Sequence, residues 1–440
     1  MQPASQSTPS IKRNSAWMLG ARVLRMAVQA AYFVMLARSL GLQQYGAFVG
    51  AAALAGVLSP FSSLGTGNLL VKHVARDQSS LPRWWGCALT VTCISGLALT
   101  MMAVLVGHFL LPATVPAAMV LLLALAELVF GRIVEVAGQA FQAVQQLHHT
   151  AVLLVVLSGA RMLAAAALMF RYSHPTAAEW AAFYLASTAL PAIAACVAVN
   201  RRLGVPVIGL SVMRGDVREG MYFSISLAAQ TIYNDIDKTM LARMAGLGAA
   251  GLYGAAYRLL DVSFAPIGSL LVATYPRFFQ HGAQGLSACL KFTKKLVTRA
   301  VLYGAGMSLV LVLFSPAVLP VLGKQYADAA VALRYLAPIV LLRSIHYFFA
   351  DTLTATGFQG LRSGIQVCVA VVNVLLNLYV IPRYSWRGAA CTSVVCDSLL
   401  LLLLFISISI LRWKASPRAG AVETAAGSFP RPAEQHGYQP

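Results

Sequence analysis

Apolar runs of helical length recur almost without pause between residues 15 and 411, and that recurrence leaves the chain few folds to choose from. A run of about 20 apolar residues crosses a hydrocarbon core as a helix, while a membrane strand needs only about 10 and alternates in polarity. The runs here do not alternate. Twelve spanning segments are predicted: 15–38, 46–71, 84–110, 116–140, 150–170, 178–199, 219–244, 250–275, 296–318, 330–354, 362–381 and 388–411. Only 11% of the 440 residues are charged, against about 25% in soluble domains. The expected class is an all-α integral membrane protein of about twelve transmembrane helices in two pseudo-symmetric six-helix bundles. Its expected parts are a disordered tail (1–12), an N-terminal lobe (13–205), a cytoplasmic linker (206–218), a C-terminal lobe (219–412) and a second disordered tail (413–440), the last rich in Ala, Gly and Pro.

The formal net charge is +19. With twelve crossings and the N-terminus inside, the outer loops hold only Arg38, Arg171, Arg243, Lys324, Arg383 and Arg387. The inner segments hold the larger share, concentrated in connections at about 200–218 and 276–299. Lys and Arg accumulate in short cytoplasmic loops, so both termini are expected in the cytoplasm. That reading accounts for the charge without nucleic acid, for which no binding motif is present. The seven Cys fall mostly inside apolar segments without metal-ligand spacing and are expected to be reduced packing residues. Arg22 and Arg25 interrupt the first apolar run, unlike the core of a cleaved signal peptide. Phosphate-loop, zinc-hydrolase and serine-hydrolase motifs are missing, so no cofactor and no enzymatic chemistry are expected.

The segment 219–244 places Asn234, Asp235, Asp237 and Lys238 where lipid should be. A charge at the centre of a spanning helix costs roughly 2.5–3.5 kcal/mol. Three such charges cost about 9 kcal/mol, comparable to the whole net stability of a typical fold. These side chains must therefore face protein or a watery cavity.

Sliding the chain by 205 residues lays Met35–Gly46 on Met240–Gly251, with Met, Leu, Ala, Arg, Gly, Leu and the final Gly coinciding. Six segments separate the copies, so both halves keep one orientation and form a parallel repeat, in which a substrate path runs between the halves. The first copy carries Arg22, Arg25, Gln29 and Tyr32 on one helical face; the second carries Ser226, Gln230, Asn234 and Asp237. Lys238 is placed to pair with Asn234 or Asp235. Arg258 and Asp261, three residues apart, are read either as a self-satisfied ion pair or as a substrate contact. Glu127, Gly131, Glu135 and Gln139 share one expected face. Arg343, His346, Asp351, Gln366, Asn373, Asn377 and Asp397 read as polar glue between helices. Arg161 has no expected role.

Three stretches carry a family resemblance. They are Leu36-Ala-Arg38-Ser-Leu-Gly41 with Tyr45-Gly46; Asp237-Lys238 with Gly246 and then Gly251-Leu-Tyr253-Gly-Ala-Ala-Tyr257-Arg258; and Asn373-Val-Leu-Leu-Asn377 through Pro382, then Gly388-Ala-Ala390. Over about residues 10–412 the chain resembles the polysaccharide flippases (Wzx-like, O-antigen and exopolysaccharide type) of the multidrug/oligosaccharidyl-lipid/polysaccharide exporter superfamily. Tyr384-Ser385-Trp386-Arg387 departs from the family's glycine-containing turn.

The resemblance implies a V-shaped, two-lobed carrier in the bacterial cytoplasmic membrane. Such a carrier turns a polyprenyl-diphosphate-linked oligosaccharide to the outer leaflet by alternating access. It implies a cationic cavity built from Arg22, Arg25, Gln29, Asn234, Lys238 and Arg258. Asp235 or Asp237 are the candidates for binding a proton or sodium ion, against simple charge balance. The implied partners are the lipid-linked oligosaccharide, membrane lipid, a polysaccharide polymerase and a chain-length regulator. A drug antiporter of the same superfamily would want an acidic or apolar cavity. A peptidoglycan-precursor flippase usually has fourteen helices, and a glycan polymerase or ligase would want a large outer loop.

Overall fold

The computed structural model describes residues 11–209 and 216–426, with the side chains of 11–19, 21–23, 217–219, 222, 223, 226 and 414–426 outside the description. The side chains of Arg22 and Ser226 therefore lie outside the described residues.

Every element among the described residues is helical. They are α1 (Ile11–Ser62), α2 (Thr66–Val74), α3 (Leu81–Leu110), α4 (Ala117–Leu125), α5 (Arg132–Ala143), α6 (Leu147–Arg171), α7 (Ala177–Leu203), α8 (Val217–Met244), α9 (Leu247–Gly282), α10 (Leu286–Phe314), α11 (Val318–Leu322), α12 (Ala327–Leu336), α13 (Pro338–Ala355) and α14 (Gln359–Ala426). A π turn, Ala126–Gly131, joins α4 to α5.

Eight helical runs among the described residues are long and apolar enough to cross a membrane, or nine if Lys324–Leu336 and Pro338–Ala355, bent by 42°, count as one span. These runs are apolar yet little packed. In α6 only 17% of the most apolar stretch is buried within the protein, and α3 exposes Ile94, Met101, Leu105 and Phe109. Apolar faces of this extent are what lipid covers, so the chain is a multi-pass membrane protein.

The lengths explain why eight runs stand where twelve segments were predicted. Leu24–Val74 has 51 residues and Gln359–Trp413 has 55, about twice what one crossing needs. Each is broken inside, the first at Gly41 (φ 71°) and the second at Ser385 (φ 52°). The 28-residue α8 falls outside the eight because its middle is polar. At Ser385 a β-carbon sits in the left-handed region that favours glycine, so the turn expected to contain glycine is made with strain.

The basic connection expected at 276–299 is a correction: it is mostly helix, with α9 running to Gly282, a tight turn through Gly285 (φ 98°), and α10 starting at Leu286. Lys291, Lys294, Lys295 and Arg299 ride exposed on the first turns of α10. Charged residues of good helix propensity extend the apolar core of a helix beyond its membrane part. Helix likewise continues past Arg412 to Ala426, and the chain is helical from Ile11.

Helices before residue 204 pack on one another, α1 on α3 and α6, and α4 on α3 and α7. Helices after residue 216 do the same, α8 on α14 and α10 on α13. The groups meet where α1 packs on α8 and α9, and one apolar cluster containing Phe48, Trp180, Tyr253 and Tyr326 bridges them.

Their seam is backbone on backbone. A Cβ on Gly46 would lie 1.8 Å from the Leu247 carbonyl oxygen, and one on Gly251 would lie 2.3 Å from the Leu42 carbonyl oxygen. Leu42 and Leu247, and Gly46 and Gly251, are each 205 residues apart. The repeat read from sequence thus returns as a reciprocal contact about a local two-fold. Gly41 (φ 71°) and Gly246 (φ 94°) make the matching turns at the same offset. Beside them the Tyr326 hydroxyl donates to the Ala37 carbonyl (3.0 Å), and the Thr239 hydroxyl to the Gly50 carbonyl (2.9 Å).

Candidate binding cavity

A cavity of about 480 Å³ lies between the two groups of helices. From α1 it receives Arg25, Gln29 and Tyr32, then Tyr45 and Phe48 on the other side of the Gly41 break. Arg25, Gln29 and Tyr32 are spaced by four and three residues, so a single helical face delivers them. The π turn contributes Glu127, α6 contributes Arg161, and α7 contributes Tyr184. From the other group come Asp235 and Lys238 on α8, and Tyr257, Arg258 and Asp261 on α9.

Of the residues predicted from sequence, Arg25, Gln29, Asp235, Lys238 and Arg258 line this cavity. Asn234 and Asp237 do not; they serve the interior of their own helix group. The Asn234 side-chain oxygen accepts from Arg343 at 2.6 Å. Asp237 is fully buried; it accepts from the Tyr253 hydroxyl and, at 3.2 Å, from Ser393. Lys238 stands between the two environments. Its ammonium donates to Asp235 (2.6 Å) and to the Asn234 carbonyl (2.8 Å), lies 3.8 Å from Asp237, and sits 3.9 Å from the Tyr257 ring centroid. A desolvated cation over a ring face gains up to about 2 kcal/mol, which offsets part of its burial cost.

The opposite wall carries an ion pair that sequence reasoning left half assigned. Arg161 donates to Glu127 at 3.0 Å and lies 4.3 Å over the Tyr184 ring, while the Tyr184 hydroxyl donates to the same carboxylate. Glu127 sits in the π turn, where one extra residue per turn changes the direction of every side chain after it. The single face predicted for Glu127, Gly131, Glu135 and Gln139 is therefore split. Glu127 lines the cavity, Glu135 pairs with Arg132, and the Gln139 amide reaches Asn68 at 3.5 Å. The π turn is held from α1: Ser62 donates to the Leu128 carbonyl, and Arg132 Nε to the Ser59 carbonyl at 2.8 Å.

Behind the second wall lies a buried network around Arg343. It donates to Asn234 and to the Tyr257 hydroxyl, with Asp397 at 3.5 Å and Asp261 at 3.8 Å. His346 Nε2 is 3.0 Å from Asp397. Asp261 thus forms its ion pair with Arg343, whereas an ion pair with Arg258 was one of the two readings open from the sequence, the other being a substrate contact. The helix-glue reading of Arg343, His346 and Asp397 matches these contacts. The signal for the network was in the sequence, as polar residues inside apolar segments, but which of them meet is decided by packing.

Arg25, Arg161, Lys238 and Arg258 share the cavity wall with Glu127, Asp235 and Asp261. The cavity therefore carries both signs, with one cation in excess. Among the described residues no cluster of His, Cys, Asp and Glu is suited to hold a metal ion.

A lipid-exposed helical shell, two groups of helices and a mixed-charge cavity between them make up the fold. Inward-facing and outward-facing structures of a multidrug resistance MATE family transporter of the MOP superfamily are similar to it. The inward-facing one aligns with TM-score 0.70 and 16% identity over 90% of this chain and 99% of that one. A MOP superfamily transporter from Pyrococcus furiosus aligns with TM-score 0.64 and 16% identity over 91% and 96%. The lipid II flippase MurJ in an inward closed conformation aligns with TM-score 0.67 and 12% identity over 90% and 87%. By sequence no curated protein matches the chain. The polysaccharide biosynthesis protein family matches over residues 11–281, and the chain belongs to that family.

Proposed function

We propose that the chain is a flippase that moves a polyprenyl-diphosphate-linked oligosaccharide across the bacterial cytoplasmic membrane by alternating access, for surface or exopolysaccharide biosynthesis. The observation that carries this reading is the placement of Arg25, Gln29, Lys238 and Arg258 on one cavity between two helix groups that are joined by a glycine seam at one end. A diphosphate needs cations in a hydrated path, and a polyprenyl chain can stay in lipid beside it.

We count twelve crossings, taking the runs broken at Gly41 and Ser385 as two each, the bent pair as one, and adding α8. Six precede the linker and six follow it. The loop charges support cytoplasmic termini and an outer glycine seam, and in that orientation the cavity faces inward. In this reading Arg25 binds phosphate; Gln29, Lys238 and Arg258 bind headgroup or sugar. Asn234 positions Lys238 and Arg343. Asp235 or Asp237 takes up a proton or sodium ion and biases the two states. A polymerase and a chain-length regulator receive the product.

Proteoliposomes loaded with a fluorescent lipid-linked oligosaccharide test the proposal. The expected result is protein-dependent loss of the label from one leaflet, read with a membrane-impermeant quencher. The three carboxylates in the cavity favour a second reading, export of organic cations. Uptake of a cationic dye with no movement of the lipid would select it.

A further inference from the structure

We infer that the exposed face of α10 from Lys291 to Arg299 is a binding site for anionic phospholipid headgroups. The face lies outside the cavity, on the surface of the second helix group. It stands whether or not the chain moves a lipid-linked sugar.

At this level α10 is two-sided. Cys289, Thr293, Leu296 and Ala300 are buried, while Lys291, Lys294, Lys295 and Arg299 are exposed. At about 100° per residue the four cations fall within an arc of about 140°. Leu302, Leu309 and Leu313 continue the same arc and are 73%, 58% and 63% exposed, which marks it as the face that lipid covers. The cations thus stand where a lipid-facing stripe leaves the hydrocarbon. The face is held in place from behind. The rings of Phe278 and His281 on α9 pack against Phe292 with centroids 5.2 and 4.6 Å away, and the Thr293 and Thr352 hydroxyls share a hydrogen bond of 2.7 Å.

No carboxylate answers this charge. Between Asp261 and Asp328 the chain has no Asp or Glu, and none of the four cations makes an ion pair among the described residues. Elsewhere Lys72 is matched by Asp216, Arg132 by Glu135 and Arg362 by Asp351. The repeat supplies a control. α3 and α10 begin 205 residues apart, at Leu81 and Leu286, and in α3 the places of the four cations are taken by Gly86, Leu89, Thr90 and Ile94. There the chain covers its own helix: the Val207 amide donates to the Pro82 carbonyl at 2.9 Å, and a Cβ on Gly86 would lie 2.0 Å from the Val207 carbonyl oxygen. In the second copy the same surface is exposed and cationic. A bias of Lys and Arg toward one side of a membrane asks only for their presence near the end of a span. It does not ask for four of them on the lipid-facing arc of one helix. Their apolar stems can lie along that arc while their heads reach the phosphates of an anionic leaflet.

The test places the purified full chain in bilayers with equal trace amounts of photoreactive phosphatidylglycerol or photoreactive phosphatidylcholine and reads the labelled segments by mass spectrometry. The reference is the matching stretch 86–97, where Ile94 and Leu97 are exposed. One Lys or Arg near an anionic surface raises affinity about fivefold. The ratio of phosphatidylglycerol to phosphatidylcholine labelling over residues 291–302 should therefore exceed that over 86–97 at least about fivefold. The combined variant Lys291→Gln, Lys294→Gln, Lys295→Gln and Arg299→Gln keeps helix propensity and should bring the two ratios together. Lys291→Arg with Lys294→Arg and Lys295→Arg should keep them apart. Lys294→Gln with Lys295→Gln, expected to lower the excess by at least about half, repeats the test should the fourfold variant fail to fold. Equal ratios over the two stretches in the unaltered protein, or an excess that survives the Gln variants, overturns the site.

Discussion

The first half of α1 and the middle of α8 are copies of one another at an offset of 205 residues, yet they use their polar faces differently. Arg25, Gln29 and Tyr32 line the cavity. Their counterparts Gln230, Asn234 and Asp237 point into their own helix group, where they meet Tyr347, Arg343, Tyr253 and Ser393. In α8 the cavity face is the adjacent one, Asp235 and Lys238. An intramembrane polar stripe can thus be answered by a ligand or by the protein itself, and its amino-acid pattern does not say which. The comparison separates residues whose loss should remove function from residues whose loss should loosen a lobe.

The largest expected effect comes from where the two copies touch. Gly46→Val puts side-chain atoms where the Leu247 carbonyl stands, which the seam can accept only by opening. Transport should fall to background, and spin labels at positions 42 and 247 should report a longer distance; an unchanged distance would show that the seam yields without parting. Next is Arg25→Ala on the cavity face of the first copy. Glycan export should be lost at normal membrane insertion, and retained surface glycan would remove Arg25 from the site. On the second copy Asp237→Asn keeps shape but not charge. It should shift the dependence of transport on pH or sodium and lower stability by about 1–2 kcal/mol, since a buried charge-assisted bond is weakened. An unchanged ion profile in proteoliposomes would exclude coupling at this residue. Smallest is Gln230→Ala, which removes one amide bond to Tyr347 of 3.2 Å. Export should stay normal, with a stability loss of about 0.5–1.5 kcal/mol in thermal unfolding. A loss of export as large as that of Arg25→Ala would cancel the distinction between the two copies.

What could be read from the chain follows from where the physics is local. Helical class, the repeat and the polar faces depend on composition and spacing, and Arg25, Gln29, Asp235, Lys238 and Arg258 were named on that basis and lie together. The pairing of Glu127 with Arg161 depends on a π turn that shifts register by one residue, and nothing in Ala126–Gly131 announces it. The apolar runs stop at 275 and resume at 296, but the charged residues between them have good helix propensity, so α9 and α10 extend into the basic stretch. Asp237 shares its helical face with Asn234 and turns with it away from the cavity, because a helix with charges at 235, 237 and 238 cannot aim all of them one way.

The glycine seam has an energetic side. Two bare backbones cross at Gly46 and Gly251, and the apolar cluster containing Phe48, Trp180, Tyr253 and Tyr326 closes around that crossing, so parting the halves there uncovers buried apolar area as well as the backbone contact. A junction held in both ways can part only where a second state recovers a comparable share of that burial. Larger residues at these two positions would hold the halves at a wider spacing and deprive the carrier of one of its states.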